Sequence, residues 1–250
     1  MPDEWRLIEL EIHSASENMA LDEACLDEIA SGNSPPTIRF YRWKPSAVSI
    51  GYFQSIESEV NLDECAKNGI DVVRRQTGGG AVFHDYENEI TYSIIAPEKM
   101  FPKGITESYR EICGFIVSGL EILGLHAEFK PINDVLVNGK KVSGNAQTRR
   151  KGVLLQHGTI LYGLDLDRMF SVLRVGSEKI SDKAIQSVRD RVTSIRDECN
   201  SSYGECLSAI ESSFIEGKAH YFSPWTSAEL LRAKELAEKK YSAREWNYLR

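Results

Sequence analysis

The segment RRQTGGGAVFHD, from Arg74 to Asp85, carries the most information about this chain. A run of glycines, Gly78–Gly80, follows two arginines and precedes an apolar alternation that ends at His84. Because glycine has no Cβ atom, its backbone N–H groups can approach an anion or a thin ligand closely. The arginines add fixed positive charge that suits phosphate or carboxylate. The segment therefore predicts a ligand-binding loop, and a plain flexible hairpin is the alternative.

Strand-like and helix-like segments alternate on both sides of this loop. The predicted strands are RLIELEI (6–12), TIRFYRW (37–43), AVSIGYF (47–53), 71–75, 81–83 and ITYSIIA (90–96), and residues 127–162 are again β-rich, with a tight turn at Asn138-Gly139. TIRFYRW and AVSIGYF, separated by Lys44-Pro45-Ser46, predict paired antiparallel strands. The predicted helices are 17–30 (capped by Ser14 or Ser16), 61–69 (capped by Asn61), 106–123, 170–175, 184–195, 206–214 and 228–239. This order predicts one α+β domain over residues 1–250 with a helical C-terminal third.

Composition excludes several classes of protein. The 250 residues are 42% hydrophobic and 27% charged, as in ordinary globular domains. A formal net charge of −7 argues against a general nucleic-acid binder, which needs a basic surface. No apolar run approaches the roughly 20 residues of a membrane-spanning helix, and the first residues do not resemble a signal peptide, so we expect a cytoplasmic protein. The five scattered cysteines show no zinc-site spacing and are expected to be buried free thiols.

A second cluster of polar residues lies in PINDVLVNGKKVSGNAQ (131–147) and LLQHGTIL (154–161). Asn133 and Asp134 offer an amide and a carboxylate that suit Mg²⁺ or a ribose hydroxyl. Lys141 stands between a turn and a strand, where it could point into a cleft, and His157 interrupts an apolar strand. Each residue also has an ordinary interpretation: an exposed strand end for Asp134, a surface lysine for Lys141 and a hydrogen-bonded core residue for His157.

Taken together and in this order, RRQTGGGAVFHD, IND, KKVSGNAQ and QHGTIL resemble the lipoate–protein ligase family. The resemblance extends from MALDEA (19–24) to KKYSAREWNYLR at the end of the chain. It implies mixed, largely antiparallel β-sheets flanked by helices, similar to the catalytic domain of biotin–protein ligases and, more remotely, to class II aminoacyl-tRNA synthetases.

The resemblance also implies a two-step reaction. Lipoate would be adenylated by ATP with Mg²⁺, and a lysine of an acceptor protein, either a lipoyl domain or a glycine-cleavage carrier protein, would then take the lipoyl group. Lys141 would lie against the acyl carbonyl and the α-phosphate, where it would stabilise developing charge. Arg75, with Arg74 as second candidate, would meet the phosphates, and Asn133 and Asp134 would contact the nucleotide or its Mg²⁺.

The remaining residues implied by the resemblance form the wall of an acyl pocket. The glycines at 78–80 would let the acyl chain lie against the backbone, and the pocket would further be lined by Gly51, Tyr52, Phe53, His84 and His157. Longer ligases carry an accessory C-terminal domain. Because this chain ends at Arg250, the resemblance implies that a separate accessory subunit supplies that domain.

Two other functions stay open on the sequence. The first is an octanoyltransferase that moves an acyl group through a cysteine thioester without ATP, which needs a nucleophilic cysteine near Lys141. No cysteine occurs between His126 and Thr159, and Leu154 stands where one transferase type carries its nucleophile. The second is a non-catalytic subunit that only binds an acyl group or a nucleotide.

Overall fold

The computed structural model describes residues 4–174 and 182–250. The strands in these residues are β1 (Trp5–His13), β2 (Thr37–Trp43), β3 (Ala47–Ile50), β4 (Asp71–Arg74), β5 (Val82–His84), β6 (Glu89–Pro97), β7 (Ala127–Lys130), β8 (Asp134–Val137), β9 (Lys140–Arg150), β10 (Val153–Leu161) and β11 (His220–Phe222). Eight of them form a large sheet in the order β11-β1-β2-β6-β10-β9-β8-β7. Within it, β1 runs parallel to β2 and β11, and the other pairs are antiparallel.

The smaller sheet has the order β4-β3-β5 and carries the glycine loop, which connects β4 to β5. β3 runs parallel to β4 and antiparallel to β5. The predicted antiparallel pairing of 37–43 with 47–53 is therefore wrong, because β2 and β3 lie in different sheets. β2 lies between β1 and β6 in the large sheet, whereas β3 lies between β4 and β5 in the smaller one.

The α-helices among the described residues are α1 (Ala15–Ala30), α2 (Ile56–Glu59), α3 (Leu62–Lys67), α4 (Ile105–Ile122), α5 (Leu166–Val172), α6 (Asp182–Arg189), α7 (Ile195–Glu198), α8 (Tyr203–Ile215), α9 (Ser227–Leu236) and α10 (Arg244–Asn247). α1 packs with α9 on one face of the large sheet, and α4 packs with α8 on the other. Successive strand residues serve opposite faces: Phe40 and Leu154 join the α4 core, and Tyr41 and Leu155 join the α1 core.

Local sequence signals predicted the starts of α1 and α3 correctly. Ser14 caps α1 through a capping box with Glu17, and Asn61 accepts a hydrogen bond from the backbone N–H of Glu64 at the start of α3. The turn at Asn138-Gly139 is also present, with positive φ at both residues. The predicted helix 184–195 is instead split into α6 and α7, and the helix predicted at 170–175 is α5, which ends at Val172, while Val175 lies outside the described residues.

The predicted α+β class is confirmed, with a large mixed sheet flanked by helices. The short strand β11 within the C-terminal third was not predicted. Within the described residues, every helix is too short or too polar to span a lipid bilayer.

Candidate functional site

A cavity of about 320 Å³ lies between the two sheets, on the α1 face of the large sheet. Its walls come from both arms of the glycine loop, from strands of both sheets, and from α1 and α5. The sequence-predicted residues that line it are Arg75, Gly79, Gly80, His84, Asn133, Lys141 and His157. The two polar clusters, far apart in the sequence, therefore meet at one cavity.

Arg75 organises the glycine loop from inside. Its guanidinium donates to the carbonyl oxygens of Gly78 (2.8 Å) and Gly80 (2.7 Å) and to both the backbone oxygen and Oγ of Ser49 (3.1 Å each). Burial lowers the pKa of Arg75 to about 10. The positive charge therefore sits behind the loop, held by carbonyl and hydroxyl dipoles.

Arg74 lies outside the cavity, contrary to its predicted role there. Its fully buried guanidinium donates to the carbonyl oxygens of Gly51 (3.1 Å) and Gln54 (2.7 Å) and to those of Trp246 (3.0 Å) and Asn247 (2.8 Å). It therefore fastens α10 to the turn after β3. Adjacent strand residues point to opposite sides, so Arg74 and Arg75 could not both face the same cavity.

The GYF segment also stands behind the loop and does not line the cavity. A Cβ atom on Gly51 would lie 2.0 Å from the carbonyl oxygen of Gly79, so only glycine permits this close approach. Tyr52 donates its backbone N–H to Thr77 at 2.8 Å, and Phe53 is 68% exposed. Gly51 and Tyr52 support the loop from outside, whereas Phe53 points to solvent.

One end of the cavity is closed by a chain of buried polar groups. Ser49 Oγ lies 2.8 Å from Nε2 of His84, and Nδ1 of His84 lies 2.7 Å from Glu89. The imidazole stacks on Trp43, with ring centroids 4.0 Å apart. Because Arg75 donates to Ser49 Oγ, the serine hydroxyl can direct its proton to His84, which then donates from Nδ1 to the carboxylate.

A second histidine ties the glycine loop to the large sheet. Nε2 of His157 lies 2.7 Å from Thr77 Oγ1, and its Nδ1 lies 3.1 Å from Asp22. Asp22 is also bound by Arg39 at 3.1 Å and by Ser93 at 2.8 Å. Burial lowers the pKa of His157 below its ordinary value of 6.5, although Asp22 acts against this shift.

Lys141 lies at the other end of the cavity, paired with Asp134. Its ammonium lies 2.6 Å from Asp134 Oδ1, with 40% of the lysine side chain exposed. A Cβ on Gly144 would come within 2.9 Å of Lys141 Nζ, so the glycine makes room for the lysine. Asn133 and Asn145 bind each other's backbone carbonyls and fix the strand beneath.

All the cysteines in the sequence lie in the described part of the chain, and none lines the cavity. Burial raises the pKa of Cys25 and Cys113 to about 12, and that of Cys65 and Cys206 to about 11. A thiol with a raised pKa is a poor nucleophile. Cys199, the least buried, lies in the segment between α7 and α8.

Sequence reasoning missed several buried polar residues of the site. Ser49, Glu89 and Thr91 are polar residues at buried strand positions, and Asp22 lies on the inner face of α1, three residues from both Met19 and Cys25. A charged or hydroxyl residue among buried positions needs a partner, so these positions held a readable signal. Their partners, however, come from distant segments and could not be read from the sequence.

The comparisons with known proteins agree on the fold and divide on the activity. A model of the lipoyl protein ligase A/B catalytic domain matches residues 14–215, which confirms the predicted resemblance. The octanoyltransferase LipM of Brevibacillus brevis is 38% identical over 99% of this chain and 100% of its own length. LipM of Bacillus subtilis is 37% identical over 98% of both. A solved bi-partite lipoate protein ligase from Thermoplasma acidophilum is 39% identical, with a TM-score of 0.88 over 98% of this chain and 96% of its own.

These findings correct the predicted activity. The two LipM relatives, which match this chain over nearly its whole length, are named octanoyltransferases, so the prediction of an ATP-dependent, AMP-forming lipoate–protein ligase is wrong. A transferase takes its acyl group from a donor that is already activated, so the predicted ATP and Mg²⁺ substrate complex is wrong as well. Asp134, assigned to Mg²⁺ on the sequence, instead pairs with Lys141. The separate accessory subunit stays a prediction.

Proposed function

Because the chain belongs to the lipoyl protein ligase A/B catalytic-domain family, we propose that it is an ATP-independent octanoyltransferase. It takes the octanoyl group from a thioester on an acyl carrier protein and transfers it to the ε-amine of a lysine on a lipoyl-acceptor protein. The octanoyltransferases that match the whole chain support this proposal. The structural observation that carries it is the shape of the cavity, which suits one medium-length acyl chain.

The length of the cavity follows from the register of the large sheet. Thr91, Thr159 and Gly144 lie side by side on β6, β10 and β9. Neighbouring strands are about 4.8 Å apart, so roughly 10 Å separates the outer two of these residues. Lys141 stands over Gly144, whereas Trp43 bonds to Thr91 at 2.8 Å and stacks on His84. An extended eight-carbon chain fits between the lysine and this aromatic stack.

Lys141 is placed to act on the acyl carbonyl. In acyl transfer the carbonyl oxygen becomes negatively charged in the transition state, and a fixed cation nearby lowers that barrier. The ammonium is held by Asp134 and the lysine side chain is 40% exposed, so a carrier thioester and an acceptor lysine can both reach it. Lys141 is therefore the catalytic residue of the proposal, and Asp134 is its positioning partner.

The positions of the cysteines favour direct transfer in place of a covalent thioester on the enzyme. All five thiols are away from the cavity wall, and four are buried with raised pKa values. In the direct route, the unprotonated acceptor amine attacks the thioester carbonyl, the C–N bond forms and the C–S bond breaks. The carrier thiolate leaves and takes up the proton that the amine nitrogen loses. Holding the two substrates together supplies much of the rate.

The test uses the purified chain, an octanoyl acyl carrier protein and a lipoyl domain, without ATP. We expect the mass of the lipoyl domain to rise by one octanoyl group. A lipoyl domain whose acceptor lysine is changed to arginine is the control for the site of attachment. Acylation that requires both free acid and ATP would refute the proposal, and ligand binding without any product would favour the non-catalytic alternative.

The route is tested separately with a variant in which all five cysteines are serine. Direct transfer predicts that this variant keeps its activity, provided that its thermal unfolding matches the parent. Loss of activity together with an acyl-thioester adduct on the parent enzyme would restore the covalent route while leaving the octanoyltransferase proposal intact.

A further inference from the structure

Lys141 lies at an irregularity in the large sheet. β8 pairs with β9 at Val135↔Ser143 and then at Leu136↔Lys141, so the residue between them on β9, Val142, has no partner on β8. Such a bulge turns the following side chains and releases backbone groups from the ladder. Val142 itself is fully buried, which anchors the bulge in the core on the opposite face.

The backbone groups of Lys141 that the bulge releases are bound by a segment from another part of the chain. Lys141 donates its backbone N–H to the carbonyl of Arg191 at 2.8 Å, and Thr193 donates its N–H to the carbonyl of Lys141 at 2.9 Å. The two segments run parallel here, with Val192 beside Lys141. We call residues Arg191–Thr193 the strap.

The strap is itself fastened at both ends. On the N-terminal side, the strap is held to α6, because Val192 donates its N–H to the carbonyl oxygen of Val188 at 2.8 Å. On the C-terminal side, Thr193 Oγ1 donates to Glu198 Oε1 at 2.6 Å. The other carboxylate oxygen of Glu198 accepts from the side-chain amide of Asn138 at 2.7 Å. Glu198 thus links the strap to the β8–β9 turn. Val192 also lines the cavity, so the strap both holds Lys141 and completes the wall beside it.

We propose that the strap is the positioning element for Lys141, and that Thr193 is a positioning residue whose backbone N–H sets where the lysine ammonium stands over Gly144. This inference rests on the proposed function for its kinetic consequence. The ion pair with Asp134 alone does not fix a flexible side chain, because a half-exposed pair is weak and admits several geometries. The two hydrogen bonds of the Lys141 backbone, one at its N–H and one at its carbonyl, fix the position of its Cα atom. The position of Cα in turn limits where the ammonium can lie.

The decisive variant is Thr193→Pro, which removes the backbone N–H. Thr193→Val keeps that N–H and removes the hydroxyl that binds Glu198, so it measures the contribution of the side-chain bond separately. We expect Thr193→Pro to lower kcat for octanoyl transfer about 100-fold, as for a catalytic group displaced by roughly 1 Å. The KM for the carrier protein should change little, and Thr193→Val should lose much less activity than Thr193→Pro, because the backbone bond to Lys141 is kept.

A double-mutant cycle separates positioning from general damage to the fold. If the strap acts through the lysine ammonium, Thr193→Pro has no further effect once Lys141 is alanine. If the variant merely loosens the protein, the residual activity of Lys141→Ala falls by the same factor as that of the parent, and the inference is overturned. Should Thr193→Pro fail to fold, Glu198→Ala, which unties the strap from the β8–β9 turn, enters the same cycle with a smaller expected loss.

A measurement that does not need activity keeps this inference distinct from the proposed function. In the parent, the backbone amide of Lys141 should exchange with solvent as slowly as its neighbours in β9, and Glu198→Ala should speed it selectively. Slow exchange of the Lys141 amide together with no octanoyl transfer would refute the proposed function but would still support the role of the strap. Fast exchange at Lys141 in the parent would refute the strap whatever the enzyme does.

Discussion

Thr77 donates a hydrogen bond from Oγ1 to Nε2 of His157 over 2.7 Å and thereby fastens the glycine loop to β10 of the large sheet. The direction follows from the opposite side of the ring, where Nδ1 lies 3.1 Å from the carboxylate of Asp22 and must carry the proton. The uncharged form of His157 is therefore the one that holds the loop. A proton added to Nε2 would remove the acceptor that Thr77 needs.

This relationship predicts a pH dependence of stability. Burial lowers the pKa of His157 below 6.5 in the folded protein, so the unfolded chain takes up a proton at a higher pH than the folded one. The contribution of His157 to the free energy of unfolding is therefore full above pH 6.5 and declines as the pH falls below that value. Urea unfolding at about pH 7.5 and about pH 5.5 measures the change, since histidine titrates in this range.

His157→Gln is the comparison for this pH dependence, because glutamine does not titrate. The difference in unfolding free energy between the parent and this variant should shrink as the pH is lowered. A difference that stays constant across the two pH values would contradict the assignment of the uncharged form.

Lys141 and Lys140 form a matched pair for testing the catalytic cation. Lys141→Ala should lower kcat for octanoyl transfer about 100- to 1000-fold, the usual loss when one donor to a developing oxyanion is removed. Lys140 precedes it on the same strand but does not line the cavity, so Lys140→Ala should leave kcat near the parent value. Equal effects of the two changes on turnover would remove Lys141 from the mechanism.

Gly51 and Gly78 test the close approach behind the glycine loop. Alanine at Gly51 would place Cβ 2.0 Å from the carbonyl oxygen of Gly79, a backbone atom that cannot move without shifting the loop. Gly51→Ala should therefore destabilise the fold by about 1–3 kcal/mol, as overpacking usually does, and should also reduce activity. At Gly78 a Cβ would meet no atom of the described residues within 4 Å, so Gly78→Ala should unfold near the parent temperature. The measurement is thermal unfolding of both variants. Equal unfolding midpoints for Gly51→Ala and Gly78→Ala would contradict the prediction.

His84 should set the length of acyl chain that the cavity accepts. Its ring stacks on Trp43 at 4.0 Å and closes the end away from Lys141. Removing the ring in His84→Ala opens space there, so kcat/KM should shift from octanoyl towards ten- and twelve-carbon chains. His126, an exposed histidine outside the cavity, supplies the control variant His126→Ala. An unchanged order of preference among the chain lengths would show that the acyl terminus lies elsewhere.

Much of the secondary structure was predictable because it depends on neighbours in the chain. The capping box at Ser14 and the turn at Asn138-Gly139 are determined within four residues, and both are present. The pairing of strands was less accessible. β2 and β3 follow each other with only a short connection yet join different sheets, because β2 pairs with β1 and β6 whereas β3 pairs with β4 and β5.

The site divides in the same way. The sequence by itself determined which residue types were available: a glycine run beside arginines, a lysine three residues before a glycine on a predicted strand, and histidines in apolar surroundings. Only the tertiary structure decided which of two adjacent arginines enters the cavity, that Asp134 pairs with Lys141, and that Arg191–Thr193 holds the lysine. The physical reason is that side-chain direction on a strand alternates with every residue and shifts at a bulge, so one step in register exchanges the buried partner for another.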